Sequence, residues 1–217
     1  MKTKILPLLI IFTLLVTSCS KNNSDEAEKS QDTPTSELSD DWNSKYEKLQ
    51  PSDLSDNVIK LIGKGWMLVT AGKKESYNTM TASWGGIGYI WERPSSFIFI
   101  RESRYTYQFL QQEESYTLSF FSDDYKNALK ICGTRSGRDT DKVKEAGLTF
   151  LETPSGLISF EEARMIIECK KMLVQPLDYS NLTEAYKTKI MEETYNDEPV
   201  KHQQFISEII NIWVKNK

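Results

Sequence analysis

One short, extended run of this chain places polar donors beside apolar side chains. It combines an amide, small hydroxyls, a thioether and an indole, in the order Asn78, Thr79, Met80, Thr81, Ala82, Ser83 and Trp84. Backbone N–H groups and hydroxyls along such a run can donate hydrogen bonds to the polar edge of a flat ring, while Met80 or Trp84 covers its face. The run therefore predicts a slot for a planar ligand.

A second run, a little further along the chain, supplies positive charge. Arg101 and Arg104 are accompanied by the hydroxyls of Ser103 and Thr106. Guanidinium groups bind phosphate oxygens in a bidentate manner, and hydroxyls add further donors. Taken alone, the first run is better explained as an ordinary half-buried strand and the arginines as part of a solvated surface, because short motifs often match by chance. The two runs together favour a site for a phosphorylated ring compound.

Both runs resemble the flavin reductase-like, FMN-binding split-barrel family, in particular its flavoredoxin branch. The resemblance continues through Cys-Gly-Thr-Arg-Ser-Gly-Arg-Asp-Thr-Asp-Lys at 132–142 and Glu-Glu-Ala-Arg at 161–164. It covers most of the chain from Asn57 onward and fades after Cys169. The order and spacing of these motifs support the resemblance, and the resemblance implies a split β-barrel, a non-covalently bound FMN held by the residues of both runs, and a homodimer.

The loop that ends at Lys142 has two interpretations. In the family this loop comes near the cofactor, which implies cofactor-binding roles for Ser136, Gly137 and Lys142. A glycine that leads into a helix can present backbone N–H groups to a phosphate. The alternative is that Asp139 or Thr140 simply caps that helix.

His202 is the only histidine of the chain. Many flavin reductases of this superfamily carry Gly-Asp-His before the last strand, with the histidine near the nicotinamide or the flavin. The matching stretch at 197–202 reads Asp-Glu-Pro-Val-Lys-His, without the Gly-Asp. The resemblance implies a catalytic role for His202, whereas the departure leaves a surface histidine near a turn as the alternative and weakens the case for nicotinamide as the reductant.

The hydrophobic patterns that must position these residues favour a mainly β protein. Strand-like segments fall at 66–71, 77–84, 96–100, 116–121, 163–173 and 205–214, and helical patterns at 57–62, 106–112, 140–146 and 184–194. Many strands with few long helices predict a closed antiparallel barrel with helical excursions. The resemblance implies a Greek-key split barrel.

The N-terminus predicts export. Positive residues precede an apolar stretch at 5–16, and small residues lead to Cys19. At 1.5 Å per residue this stretch reaches only about 18 Å, short of a ~30 Å hydrocarbon core. Residues 1–18 resemble a bacterial lipoprotein signal, with cleavage before Cys19 and acylation of its sulfur; a plain cleavable signal with an incidental cysteine is the alternative. We therefore expect the protein in the bacterial cell envelope, held by a lipid anchor at the outer membrane or on the periplasmic side.

The segment that follows Cys19 predicts a flexible tether. Residues 19–56 are rich in polar and charged side chains, and their first half cannot bury enough apolar surface to fold. Trp42 and Tyr46 suggest that the second half docks on the domain. Residues 57–217 are long enough for one domain with a core of its own.

Charge and cysteine content narrow the class of partner. The formal net charge of -4 argues against nucleic acid, which calls for a basic face. Cys132 and Cys169 could pair in an oxidising envelope, but their spacing does not argue for a bridge. We favour two thiols that pack as small apolar groups, with a redox dithiol as the alternative. One histidine and two scattered cysteines do not predict a metal site.

The predicted function is an oxidoreductase that passes reducing equivalents through bound FMN. The sequence names neither the electron donor nor the acceptor; NAD(P)H or a redox protein could donate. Because an exported protein does not meet cytoplasmic NAD(P)H, a non-catalytic FMN carrier or sensor remains an alternative, and a degenerate barrel kept for protein contacts is a third.

Overall fold

This computed structural model describes residues 40–195 and 201–216, and these residues form ten strands and six α-helices. The strands are β1 (Tyr46–Leu49), β2 (Met67–Lys73), β3 (Ser76–Ala82), β4 (Gly85–Ile90), β5 (Arg93–Arg101), β6 (Ser115–Phe120), β7 (Phe150–Glu152), β8 (Ile158–Phe160), β9 (Met165–Pro176) and β10 (His202–Lys215). The helices are α1 (Asp40–Lys45), α2 (Val58–Lys60), α3 (Tyr105–Gln112), α4 (Lys126–Thr134), α5 (Lys142–Glu145) and α6 (Glu184–Tyr195).

Eight of the strands form one antiparallel sheet whose two edges are consecutive in the chain. The order is β3-β2-β6-β9-β10-β5-β4, and β1 pairs with the C-terminal part of β10. Two residues, Ser83 and Trp84, connect edge strand β3 to edge strand β4. At 3.8 Å per residue this link holds the edges within about 11 Å of each other. The sheet is therefore a split barrel, as the resemblance implied.

The number of strands predicted a fully closed barrel, and this prediction is wrong. Among the described residues, β4 pairs with β5 alone and β3 with β2 alone. The physical reason lies at Gly85, where φ is +157° and the backbone presses against the carbonyl oxygen of Phe97. A Cβ at position 85 would lie 2.4 Å from that oxygen, so glycine allows β4 to start this close to β5.

Two apolar clusters lie on opposite faces of the sheet. Met67, Val69 and Ala71 belong to the cluster inside the barrel, whereas Leu68 between them belongs to the outer cluster with α4. This follows from the alternation of side chains along a strand. The same alternation fixes the register of β3, whose residues reach the site described below.

The folded part begins before the expected start at Asn57. Trp42 stacks on Tyr46 with ring centroids 4.7 Å apart and meets the edge of Trp213 at 5.3 Å. Both Trp42 and Tyr46 are buried, and β1 extends the sheet beside β10. Their aromatic side chains, which suggested docking, provide the apolar area that orders this segment. The predicted signal, Cys19 and the first part of the tether lie outside the described residues.

Replacing Trp42 by alanine should lower the free energy of unfolding by about 3 kcal/mol, because a large aromatic side chain leaves a packed site. Urea denaturation followed by circular dichroism measures this loss. The exposed Glu47 on neighbouring β1 offers the matched control, and Glu47→Ala should change stability by no more than about 0.5 kcal/mol. A loss of no more than about 0.5 kcal/mol in the Trp42 variant as well would show that the N-terminal segment does not hold the sheet together.

The two cysteines of the described part are free and buried in different clusters. Cys132 lies in α4 with the outer cluster, and Cys169 lies on β9 inside the barrel. Burial raises the pKa of Cys132 to about 11 and that of Cys169 to about 12. Both are therefore protonated at neutral pH and poor nucleophiles, which favours packed thiols over a redox pair.

Within the described residues no helix has the length and apolar character needed to cross a membrane.

Candidate functional site

A cavity of about 250 Å³ opens where the two edges of the split barrel approach each other. It brings together the end of β3, the link to β4, the end of β5, the residue before α3, helix α4 and the start of β10. The residues around it are Met80, Thr81, Ala82, Ser83, Trp84, Phe99, Arg101, Arg104, Gly133 and His202. Both sequence runs and the single histidine thus meet in one place. We call it the split cavity.

Backbone groups without a strand partner border the split cavity. The pairing of β4 with β5 begins at Gly85 with Ile98, so the last residues of β5 pair only with β10. The outer edge of β3 likewise has no strand beside it among the described residues. Backbone N–H and C=O groups are strong hydrogen-bonding groups that need partners. These two strand edges can therefore hydrogen-bond the polar edge of a planar ligand.

The polar side chains of β3 divide into those at the cavity and those that hold the strand in place. Thr81 lines the cavity and donates its hydroxyl to the carbonyl of Leu129 in α4. Thr79 is buried, with its hydroxyl 2.8 Å from that of Thr70. The amide Nδ2 of Asn78 donates to the buried Thr106 hydroxyl at 2.7 Å. Asn78, Thr79 and Thr106 therefore tie β3 to its neighbours rather than line the split cavity.

Two arginines form the cationic side of the cavity. Arg104 donates from Nη2 to the Gly133 carbonyl at 2.6 Å, and burial, followed by the charge of nearby Arg101, lowers its pKa. The Arg101 side chain is exposed and makes no hydrogen bond or ion pair with the described residues. Two neighbouring like charges raise each other's energy, and a bound anion offsets that cost. The pair has the chemistry of a phosphate site, whereas Ser103 is exposed and does not line the cavity.

The loop at 136–142 lines a second cavity of about 460 Å³ on the other side of Asn78. A Cβ at Gly137 would lie 2.1 Å from Oδ1 of Asn78, so glycine permits this loop to close on β3. Ser136 accepts a hydrogen bond from the Arg138 N–H at 3.2 Å. Of the predicted cofactor residues, Asn78, Gly137 and Lys142 line this second cavity and not the split cavity.

Lys142 is buried next to that loop. Its Nζ lies 3.4 Å from the carbonyl oxygens of Cys132 and of Arg135. Burial lowers its pKa to about 8, with nearby Arg104 adding to the effect, so the ammonium group remains charged at neutral pH. Helix α5 that begins here is capped by Asp141, which accepts from the Lys144 N–H at 3.1 Å. The expectation that Asp139 or Thr140 caps this helix is therefore wrong.

His202 is buried at the wall of the split cavity, which rules out the surface alternative. Its backbone pairs with that of Arg101, so the register of β10 against β5 places the two residues side by side. Nδ1 lies 2.8 Å from the Tyr179 hydroxyl, and the imidazole lies 5.3 Å from the Trp84 ring at an interplanar angle of 31°. The hydrogen bond to Tyr179 and the packing on Trp84 fix the orientation of the ring.

Four residues of the site went unrecognised in the sequence. Phe99 shares a face of β5 with Arg101, and strand alternation could have identified it. Gly133 stands inside the Cys-Gly-Thr motif. Tyr179 and Tyr195 reach His202 from outside any motif, and no sequence signal marks them.

The geometry defines a split-barrel protein with a cavity between its sheet edges that is lined by aromatic side chains and two arginines. The chain belongs to the flavin reductase like domain family, which matches residues 59–217. Membership in this flavin-binding family makes flavin-related redox chemistry its general function. No curated protein matches the chain.

Solved structures with the same fold include several flavin proteins. An FMN-binding domain of flavin reductases-like enzyme from Shewanella baltica shares 17% identity at a TM-score of 0.55, covering 78% of this chain and 76% of that one. The flavoredoxin of Desulfovibrio vulgaris shares 24% identity at a TM-score of 0.53, with 76% of both chains covered. An NADH:FAD oxidoreductase of Streptomyces globisporus shares 15% identity at a TM-score of 0.51, covering 70% of this chain and 78% of that one. At these identities the likeness concerns the fold.

Proposed function

We propose that this protein is a flavin-dependent oxidoreductase that binds FMN non-covalently in the split cavity and passes reducing equivalents through it. The observation that carries the proposal is the meeting of three features at one cavity. They are the free strand edges beside Ser83, the aromatic surfaces of Trp84 and His202, and the arginine pair Arg101 and Arg104.

The residues present fit the chemistry of FMN. The apolar and aromatic side chains of Met80, Phe99 and Trp84 suit a ring system, and a volume of about 250 Å³ suits the ring better than the whole cofactor. The exposed guanidinium of Arg101, beside Arg104, provides the cations that a phosphate dianion requires. This pairing of ring slot and cations favours FMN over riboflavin.

A bound flavin supplies hydride or single-electron transfer, and the protein supplies orientation and electrostatics. Here the strand edges of β3 and β5 would hold the polar edge of the ring by backbone hydrogen bonds. Donors fixed in this way stabilise negative charge on the ring without reorganisation. His202, held by Tyr179 through Nδ1, presents an imidazole that can hold or transfer a proton at the cavity wall. Which nitrogen carries that proton depends on the tautomer.

The proposal extends to the partners. Because the predicted export would keep the protein away from cytoplasmic NAD(P)H, we include a redox protein or a quinol-like compound as the electron donor rather than a nicotinamide. A homodimer, which the family resemblance implies, completes the proposed assembly.

The visible spectrum of the chain without its first nineteen residues tests the proposal. We expect a yellow protein, or a colourless one that quenches the fluorescence of added FMN. A chemical reductant should bleach the bound flavin, and turnover with a physiological donor separates an oxidoreductase from a carrier that never turns over. A protein that neither contains FMN nor quenches it contradicts the proposal.

Cys19 carries the proposed lipid anchor in the cell envelope. Cys19→Ala should leave an unprocessed precursor or release the protein from the membrane fraction, because the polar tether that follows offers no other hydrophobic attachment. Immunoblots of membrane and soluble fractions measure this, with Ser20→Ala as the matched control. Normal processing and membrane fractionation of the Cys19 variant would show that the cysteine is incidental.

A further inference from the structure

A second, apolar cavity of about 290 Å³ adjoins the split cavity on the other side of Trp84. The Trp84 indole lines both cavities. The described residues around the second one are Trp84, Leu177, Asp178, Tyr179, Leu182, Ile190, Thr194 and Tyr195. We call it the α6 cavity, because helix α6 and the segment leading to it form its outer wall.

Helix α6 covers this cavity with only a few of its side chains. Most of the helix is exposed, whereas Ile190 is half-buried and Tyr195 is buried. The Tyr195 ring meets Trp84 edge-on at 6.3 Å and Tyr179 at 5.3 Å. Three aromatic rings and three aliphatic side chains thus surround the space, a lining typical of sites for small apolar ligands.

Hydrogen-bonding groups lie at the side of the α6 cavity nearest His202. The Tyr179 hydroxyl lies 3.1 Å from that of Tyr195 and 2.8 Å from His202 Nδ1. Burial, followed by the neighbouring Tyr195, raises the pKa of Tyr179, so this phenol stays protonated. When the Nδ1–H of His202 donates a hydrogen bond to the Tyr179 hydroxyl, that hydroxyl can in turn donate to the Tyr195 oxygen. The Tyr195 hydroxyl then has its own proton available to donate to a ligand. A ligand with an oxygen acceptor can therefore be bound here.

Charge restricts the ligand further. Of the described residues that line the α6 cavity, only Asp178 is charged, and its carboxylate already accepts from the Ser180 N–H at 2.9 Å and from Asn181 at 2.8 Å. These bonds stabilise the carboxylate without a cationic ligand. No lysine or arginine is among these lining residues, so the lining itself offers no cation for a phosphate group.

We infer that the α6 cavity binds a planar, uncharged aromatic carbonyl compound of the quinone type. The ring lies against Trp84 between the aliphatic side chains, and a carbonyl oxygen accepts from the Tyr195 hydroxyl. The size of the cavity admits a compound of one or two rings. This binding does not require the flavin, and it places such a compound across a single indole ring from the split cavity.

Titration calorimetry with menadione, an uncharged two-ring quinone, tests the inference. The protein used is the chain from Ser20 onward, because the thiol of Cys19 would add to a quinone, whereas the other two thiols are buried. We expect saturable binding, and binding should persist when the protein is saturated with FMN. Absence of saturable binding, or displacement of menadione by FMN, overturns the inference.

A pair of arginine substitutions on α6 locates the binding. Ile190→Arg places a cation on the wall of the α6 cavity and should weaken menadione binding by about tenfold or more, since an unpaired charge is costly beside apolar surface. Thr188→Arg adds the same charge on the exposed side of the same helix and should leave the affinity unchanged. Equal affinities in the wild type and the Ile190 variant contradict the inference.

Two further measurements exclude trivial outcomes. If circular dichroism shows that Ile190→Arg loses helix, Leu182→Trp tests the location of binding instead, because it fills the cavity with apolar volume and should also abolish binding.

The failure of this inference is distinct from that of the proposed function. A protein that binds menadione but no FMN contradicts only the proposed function, and one that binds FMN but no menadione contradicts only the inference.

Discussion

Replacing Arg101 and Arg104 together by glutamine should weaken FMN binding by about a hundredfold or more and leave riboflavin binding nearly unchanged. Hydrogen bonds to a charged group contribute about 1.5–3 kcal/mol each, and every 1.4 kcal/mol is about a tenfold change in affinity. Riboflavin lacks the phosphate, so it loses nothing when the cations are removed. Fluorescence titration of both compounds with the same protein preparation measures the difference.

Arg93 provides the matched control for this experiment. It lies on the same strand as Arg101, but its guanidinium bonds to Glu208 at 2.7 Å, away from the cavity. Arg93→Gln should bind FMN like the wild type. Equal losses for FMN and riboflavin in the double variant would mean that the arginines act through the fold. An unchanged FMN affinity would move the phosphate to the cavity lined by Gly137 and Lys142.

Much of the barrel could be predicted from the sequence because its strands are locally encoded. The predicted strand at 66–71 overlaps β2 and that at 96–100 falls within β5, and the predicted helices at 106–112 and 184–194 correspond to α3 and α6. Edge strand β4 was not predicted, since Gly85, Gly86 and Gly88 give it a weak strand propensity. Without β4, the position of the split could not be inferred from the residues alone.

The site could be predicted only where its residues are close in sequence. The runs from Asn78 and from Arg101 were visible because each lies on one strand or turn. The burial of His202 depends on the register between β10 and β5, and its bond to Tyr179 depends on the path of the chain through α6. Such contacts arise from tertiary packing, which short patterns do not encode. For the same reason the hydroxyls of Thr79 and Thr106, which looked like ligand donors, bond within the protein.

The loop before α5 shows how local chemistry can give the right feature at the wrong residue. Asp139, Thr140 and Asp141 are all acceptable N-caps, and the sequence offers no basis for choosing among them. The choice follows from Lys142, whose burial under α4 fixes where the helix starts. Gly137 is then held against Asn78, so the loop closes on β3 and separates its cavity from the split cavity.

His202→Ala should slow the reduction of bound FMN by about tenfold to a hundredfold while changing FMN affinity little. A positioned imidazole contributes to proton transfer in the transition state, whereas ground-state binding comes from the ring slot and the arginines. A loss in rate without a loss in affinity identifies an interaction made only in the transition state. Stopped-flow spectroscopy of flavin bleaching measures the rate with a donor that reduces the wild type; dithionite would bypass the site.

Tyr179→Phe separates positioning from packing in the same experiment. It keeps the aromatic ring but removes the hydroxyl that lies 2.8 Å from His202 Nδ1, so we expect a smaller loss in rate and a shift in its pH profile. Gln204→Ala, two residues along β10, is the control and should behave like the wild type. If the histidine variant keeps both its rate and its affinity, the imidazole is only a wall of the cavity. A parallel fall in rate and affinity would instead mean that it supports the binding of the ring.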